Sequence, residues 1–204
     1  MEQCKDIMAA PTPLILASTS RYRRELLERL RLPFTVRAPQ VDESAQPGEA
    51  PADLARRLAF AKAQAVAALA PDAVVIGSDQ VAELDGMAIG KPLTHERARA
   101  QLREMSGRSV RFHTAVAVAC RQRDFAESAL TTVVVTFRAV SDDELERDLR
   151  LEQPYDCAGS AKCEALGIAL LSAVESDDPT ALIGLPLIRT CELLRAAGLD
   201  PLSA

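Results

Sequence analysis

Apolar and polar positions along this chain switch repeatedly between the period of a strand and the period of a helix. Leu14-Ile15-Leu16-Ala17 is an uninterrupted apolar run that predicts a short buried strand, closed by Ser18-Thr19-Ser20. Residues 21–31 read as a helix with Leu26, Leu27 and Leu30 on one side, and residues 34–37 as a second short strand. After a polar segment over 39–51, Asp53 is the expected cap of a long helix reaching about residue 69. Leu54, Leu58, Ala61 and Ala65 recur there at helical spacing and form the expected buried stripe. Lys62 falls on its shoulder, roughly 65° from the centre at about 100° per residue. That position suits a lysine reaching toward a site at a sheet edge, or one whose stem covers apolar surface while the charge stays in water.

Further along, residues 73–76 predict an apolar strand ending in Gly77-Ser78-Asp79-Gln80. Residues 81–84 and 87–89 flank Asp85-Gly86, the strongest short hairpin signal in the chain. Thr94 caps a helix to about residue 105. Two β-rich runs, 110–120 and 130–140, are joined by a polar connection around 121–127 and predict an antiparallel pair. Ser141 begins a helix through residue 150, with Glu144 completing a capping box. A strand over 168–174 follows, then a final helix with Pro186 in its first turn and its stop at Gly198. The expected architecture is α/β, with a mixed sheet and two lobes around a cleft.

With 204 residues, 48% hydrophobic and 26% charged, the chain has length and composition for a well-packed core. Residues 1–12 read as a loose extension rather than a signal peptide, and 13–204 as a single domain. The formal net charge of −5 argues against a nucleic-acid polymer as partner. No apolar run approaches the roughly 18 residues of a membrane span, so no membrane partner is expected. Cys4, Cys120, Cys157, Cys163 and Cys191 are scattered without zinc spacing, which points to reduced thiols and a cytoplasmic location.

The candidate chemistry gathers at a few places. Three arginines, Arg21, Arg23 and Arg24, crowd the start of the first helix, where cations are unfavourable by a few tenths of a kcal/mol each. Ser18, Thr19 and Ser20 supply hydroxyls at the same end, so an arrangement wrong for an empty helix start suits a bound polyphosphate. The competing arrangement pairs Arg21 with Glu25 and Arg24 with Glu28, the weaker helical orientation. Asp79 follows a strand and a glycine, and its carboxylate is expected at the strand's C-terminal end, where α/β sheets bind ligands. Glu43 in Val41-Asp42-Glu43 could join it in holding a hard divalent cation completed by substrate phosphates. Lys91 and Lys162, each near a glycine in a turn, are candidate phosphate contacts. His95, expected on a helix surface, and His113, expected in a strand, have no nucleophile at a spacing that supports a catalytic triad.

These pieces together resemble the Maf family of nucleoside triphosphate pyrophosphatases, also called septum-formation inhibitor-like proteins. The matching segments are Leu-Ala-Ser-Thr-Ser-x-x-Arg-Arg-x-Leu-Leu, Val-Asp-Glu, Arg-Leu-Ala-x-x-Lys-Ala, Ile-Gly-Ser-Asp-Gln, Gly-Lys-Pro, and Cys-Ala-Gly-Ser-x-Lys-x-Glu through Gly-Leu-Pro-Leu. They run in order from about residue 14 to 202. The resemblance implies a fold of the inosine-triphosphate-pyrophosphatase type, a divalent metal cation (Mg, Mn or Co), and hydrolysis of a nucleoside triphosphate to monophosphate and pyrophosphate. Because the family is often dimeric, a homodimer is an open expectation. Asp79 matches the family's proton acceptor, and Ser18, Arg23, Glu43, Lys62 and Lys91 its polar active-site positions. Tyr22, Gln80 and Glu164 match the positions that separate its substrate branches. Gln80 and Glu164 follow the branch acting on 7-methyl-GTP, in which the first position is often tryptophan. Here that position is Tyr22, and the usual preceding proline is Arg21. A cationic methylated guanine suits an aromatic face and a carboxylate, which Tyr22 and Glu164 supply. The alternatives are a dTTP/UTP pyrophosphatase and a nucleotide-binding regulator of cell division without catalysis.

Overall fold

The computed structural model describes residues 12–203. The elements in order are β1 (Leu14–Ala17), α1 (Arg21–Glu28), β2 (Thr35–Val36), α2 (Pro51–Ala67), β3 (Val74–Leu84) and β4 (Met87–Ile89). They continue with α3 (His95–Met105), β5 (Ser109–Cys120), β6 (Phe125–Phe137), α4 (Asp142–Glu152), β7 (Leu171–Glu175) and α5 (Leu187–Ala196). One seven-stranded sheet runs β2-β1-β3-β5-β6-β7, with β4 also paired to β3. β1 is parallel to β2 and β3, whereas β3, β5, β6 and β7 are successively antiparallel. The mixed α/β architecture expected from the alternating pattern is therefore present.

Long strands join the two lobes. On one half of the sheet, Leu16, Leu26, Leu27, Ile76 and Leu194 pack one face, while α2 covers the other through Leu58, Ala59, Ala63 and Val66. The other half carries Leu102, Met105, Phe112, Val133, Phe137, Leu145 and Leu149 under α3 and α4. β3 crosses from one to the other. Its Val74–Gly77 segment pairs with β1, and Ala82, Glu83 and Leu84 pair with β4 along the same edge. Between them, residues 78–81 have no strand neighbour on that edge, and the cleft opens there.

Several boundaries differ from expectation. α2 starts at Pro51 behind Ala50, with Asp53 in its first turn rather than at the cap, because proline's fixed φ already suits the first helical position. Its buried stripe is Leu54, Ala55, Leu58, Ala59, Lys62, Ala63 and Val66; Ala61 and Ala65 are only half-buried. Alanine looks the same to periodicity whether a helix seats it against a sheet or beside one. The strand expected at 73–76 continues unbroken to Leu84, since β5 pairs with it throughout Val75–Glu83. α1 stops at Glu28 and β2 shrinks to two residues, while the second long strand begins at Phe125 and ends at Phe137. A 3₁₀ turn over Leu166–Leu170 replaces the first part of the strand expected at 168–174. Pro186 sits at the cap of α5 rather than inside its first turn. The Asp85-Gly86 hairpin and the Ser141/Glu144 capping box are both present. Of the expected N-terminal extension only Thr12 lies within the described residues, where it accepts a hydrogen bond from Arg123 at 2.8 Å.

Candidate active site

Alternation along β3 distributes the site. Side chains two apart on a strand share a face, so Gly77 and Asp79 face α2, while Ser78 and Gln80 face the segment that precedes α5. On the α2 side, a glycine lets the helix come very close. A Cβ at Gly77 would lie 2.3 Å from the Ala59 carbonyl oxygen and 2.5 Å from the Ala63 nitrogen. That contact seats Lys62, which lies at the centre of the buried stripe rather than on its shoulder and is 5% exposed. A buried ammonium needs partners. Lys62 has two: Asp79 Oδ1 at 2.7 Å and Glu43 Oε1 at 2.9 Å. The polar segment after β2 thus delivers Glu43 to the same point that β3 delivers Asp79.

Opposite them stands Arg23, on the first turn of α1. Ser20 caps that helix by accepting from the Arg23 backbone N–H at 3.4 Å, and buried Ser18 accepts from the Ser20 N–H at 3.1 Å. The Arg23 Nε donates to the Gly184 carbonyl at 2.9 Å, and its Nη1 reaches Ser18 Oγ at 3.5 Å. Among the described residues no carboxylate lies within ion-pair distance of it. Burial holds the Arg23 pKa below the ordinary arginine value, opposed by the charges of Asp79 and Glu43. A desolvated guanidinium without a counter-ion is stabilised by an incoming anion. Gly184, at φ +124°, also accepts from buried Ser78 at 3.0 Å and so ties α1, β3 and the α5 approach together.

Gln80 is held on the other face. Its Nε2 donates to Thr114 Oγ1 at 2.9 Å and to the carbonyls of Ala181 and Leu182 at 3.0 Å. The cleft lined by Ser18, Arg23, Glu43, Lys62, Asp79 and Lys91 continues into a deeper pocket lined by Tyr22, Gln80, Phe112, Asp156, Cys157 and Glu164. Every site residue implied by the family resemblance is therefore in one of these two connected spaces. Lys162, the further candidate phosphate contact, is not: its Nζ donates to the Glu152 carbonyl and lies 4.0 Å from the Glu152 carboxylate. It fastens its loop to α4. Arg21 does not pair with Glu25; it stacks over the Tyr22 ring at 4.7 Å, while Arg24 does pair with Glu28 at 3.0 Å. His95 is half-buried rather than on an open surface, bonded to Tyr155 Oη and Glu146 Oε2 at 3.0 Å each. His113, in β5 as expected, lies 2.7 Å from Glu83.

Sequence reasoning assigned no role to Gly184, Ser78 or Asp156. Gly184 belongs to the Gly-Leu-Pro-Leu segment already singled out, but its partner Arg23 is 161 positions away.

The fold and the cleft together define an α/β protein whose cleft brings buried acidic and cationic side chains together beside an aromatic ring. The chain belongs to the Maf family: the model described as "Maf-like protein" matches residues 13–197. It is 64% identical over 186 residues to a 7-methyl-GTP pyrophosphatase of Polaromonas sp., covering 91% of this chain and 85% of that one. A protein of the same name from Albidiferax ferrireducens is 64% identical over 191 residues, covering 94% and 96%. Another from Bordetella pertussis is 60% identical over 195 residues, covering 96% and 97%. A crystal structure of a nucleoside-triphosphatase / dITP/XTP pyrophosphatase from Mycobacterium abscessus aligns with a TM-score of 0.41 at 15% identity, over 63% of this chain and 75% of that one.

Proposed function

We propose that this chain is a nucleoside triphosphate pyrophosphatase that hydrolyses 7-methyl-GTP to 7-methyl-GMP and pyrophosphate. The observation that carries the reading is the set of side chains gathered in the cleft. Asp79, Glu43 and Lys62 line its wider part, Glu164 lines the adjoining pocket, and Tyr22, Arg23, Gln80 and Lys91 border both. Eight relatives named for 7-methyl-GTP are 55–64% identical to it over the aligned residues.

The α-phosphorus is attacked by water while pyrophosphate leaves. Asp79 takes the proton of that water as the new P–O bond forms and the bond to the bridging oxygen breaks. Lys62 fixes Asp79 by donating to Oδ1 at 2.7 Å, and among the described residues Oδ2 receives no hydrogen bond. Arg23 and Lys91 offset the charge of the triphosphate and of the leaving pyrophosphate. Ser18 keeps the turn before α1 in shape. In the deeper pocket Tyr22 offers a face to the base, and Glu164 accepts from its N–H edge.

The donor set fits a hard divalent cation, Mg²⁺, Mn²⁺ or Co²⁺. Asp79 and Glu43 are drawn together by the ammonium they share, Lys62, at 2.7 and 2.9 Å, and each has a second oxygen outside that contact. Among the described residues no group of three or more His, Cys, Asp or Glu forms a complete cage. Two carboxylates finished by phosphate oxygens and water match magnesium-type coordination. When bound, such a cation polarises the phosphate oxygens and offsets their charge.

We further propose a homodimer acting in the cytoplasm, as one domain from residue 13 onward. Among the described residues no helix is long and apolar enough to cross a membrane, and the four described cysteines are free thiols.

The test is pyrophosphate release from 7-methyl-GTP, GTP, dTTP and UTP with each cation in turn. The highest kcat/KM is expected on 7-methyl-GTP, and Asp79→Asn should remove most of the turnover. Faster release from dTTP or UTP would replace the proposed substrate. Tight nucleotide binding without any pyrophosphate release would replace catalysis with a regulatory role.

A further inference from the structure

We infer that Asp156 is a specificity-determining residue that selects a positively charged base through its own charge, alongside Glu164. The inference rests on the reading just given and extends it to a residue outside the three that separate the family's branches.

Asp156 lies in the turn after α4 and lines both the deep pocket and the cleft in front of it. Its backbone is held in place by its neighbour. The Tyr155 carbonyl accepts from the Leu93 N–H at 3.1 Å, and the Tyr155 hydroxyl meets His95 Nδ1 at 3.0 Å. Asp156 is therefore presented by an anchored turn. Its one short polar contact among the described residues is from the Cys157 thiol at 3.5 Å. Among the described residues, neither Asp156 nor Glu164 has a lysine, arginine or histidine nitrogen within 4 Å; the cations lining their pocket are Arg23 and Lys91. Arg21, which stacks on Tyr22, feels the Asp156 charge but lines only the outer cleft.

The pocket senses these charges. Burial first, then the Asp156 charge, pushes the Cys157 thiol up to about 11, and burial with the Glu164 charge pushes Cys163 up to about 12. Both thiols stay protonated near neutral pH, so the wall's negative charge comes from the two carboxylates. Arg23 and Lys91 border both spaces, Lys62 lines only the cleft and Glu164 only the deep pocket, and Asp156 is presented to both. A neutral base gains little from a second carboxylate. A ring carrying a fixed positive charge gains from each one it approaches.

The experiment compares kcat/KM for 7-methyl-GTP and GTP, with Mg²⁺, in wild type, Asp156→Asn and Asp156→Glu. Asparagine keeps the shape and removes the charge. The preference for 7-methyl-GTP should fall about two- to fivefold in Asp156→Asn, as for loss of one exposed charge pair, and Asp156→Glu should restore most of it. Full preference retained in Asp156→Asn would overturn the role, as would an equal loss on both nucleotides, which marks a structural residue. A wild type without preference for 7-methyl-GTP would overturn the underlying reading and this one with it.

Discussion

Gly77→Ala tests whether the approach of α2 to β3 sets the geometry around Asp79. The added methyl would meet the Ala59 oxygen at 2.3 Å, the Ala63 nitrogen at 2.5 Å and the Ala63 Cβ at 3.0 Å. The first two are helix backbone and cannot rotate aside. To restore ordinary contact the helix must withdraw by about 1 Å, and overpacking of this kind costs roughly 1–3 kcal/mol. Stiffening the unfolded chain by replacing glycine offsets about 0.5–1 kcal/mol of that, leaving a net loss of up to about 2.5 kcal/mol. Lys62 lies between the two points of contact and moves with them. Its 2.7 Å bond to Asp79 Oδ1 would open to roughly 3.7 Å, beyond hydrogen-bonding range. Urea unfolding followed by circular dichroism should show a lower midpoint, and kcat/KM for pyrophosphate release should fall at least tenfold. Gly90→Ala is the stability control, because nothing lies within 4 Å of a Cβ there; its unfolding midpoint should match wild type. A Gly77→Ala protein with wild-type midpoint and wild-type kcat/KM would refute the claim that this contact positions Lys62.

Two further outcomes follow from other parts of the molecule. Asp148 on α4 is 3% exposed, and neither carboxylate oxygen has a hydrogen-bond partner among the described residues. Burial, reinforced by the Glu152 charge and opposed by Lys162, raises its pKa from 3.8 to about 6. The folded state then binds the proton more tightly than the unfolded state, so this group's contribution is intact below about pH 4 and is lost as pH rises through about 6. Asp148→Asn should raise stability by up to about 2–3 kcal/mol at pH 8 and by little at pH 4, measured as urea midpoints; equal gains at both would refute the assignment. Arg21→Ala uncovers the Tyr22 face on which the guanidinium stacks and frees its hydroxyl, bonded at 2.8 Å. The ratio of kcat/KM for 7-methyl-GTP over GTP should rise about two- to threefold, and a fall would refute it.

Local signals were readable in the sequence wherever the controlling partner is near in the chain. Asp85-Gly86 makes its turn and Ser141 finds Glu144 because both interactions close within four residues. The continuity of β3 was hidden because Gly77-Ser78-Asp79-Gln80 has the composition of a turn. Its polar side chains are instead satisfied far away, by Lys62, by the Gly184 carbonyl and by Thr114. Lys62 was readable as a site residue but not as a buried one, since the alanines around it give periodicity no preferred side. Lys162 shows the converse. Its neighbouring glycines resemble a phosphate loop, yet the Glu152 carbonyl, supplied by the end of α4, takes the ammonium.

The gap on the edge of β3, between its β1 and β4 partners, carries a consequence for divergence. Asp79 and Gln80 are consecutive residues, yet they open to opposite sides of the sheet and are braced by unrelated parts of the chain. The bracing of Asp79 comes from α2 and the Glu43 segment, while that of Gln80 comes from Thr114 and the turn at 181–183. Substitutions that reshape the wall at Tyr22, Asp156 or Glu164 leave the Lys62–Asp79–Glu43 arrangement untouched. A scaffold divided in this way can exchange one base for another by drift in that pocket while the bond-breaking end stays fixed.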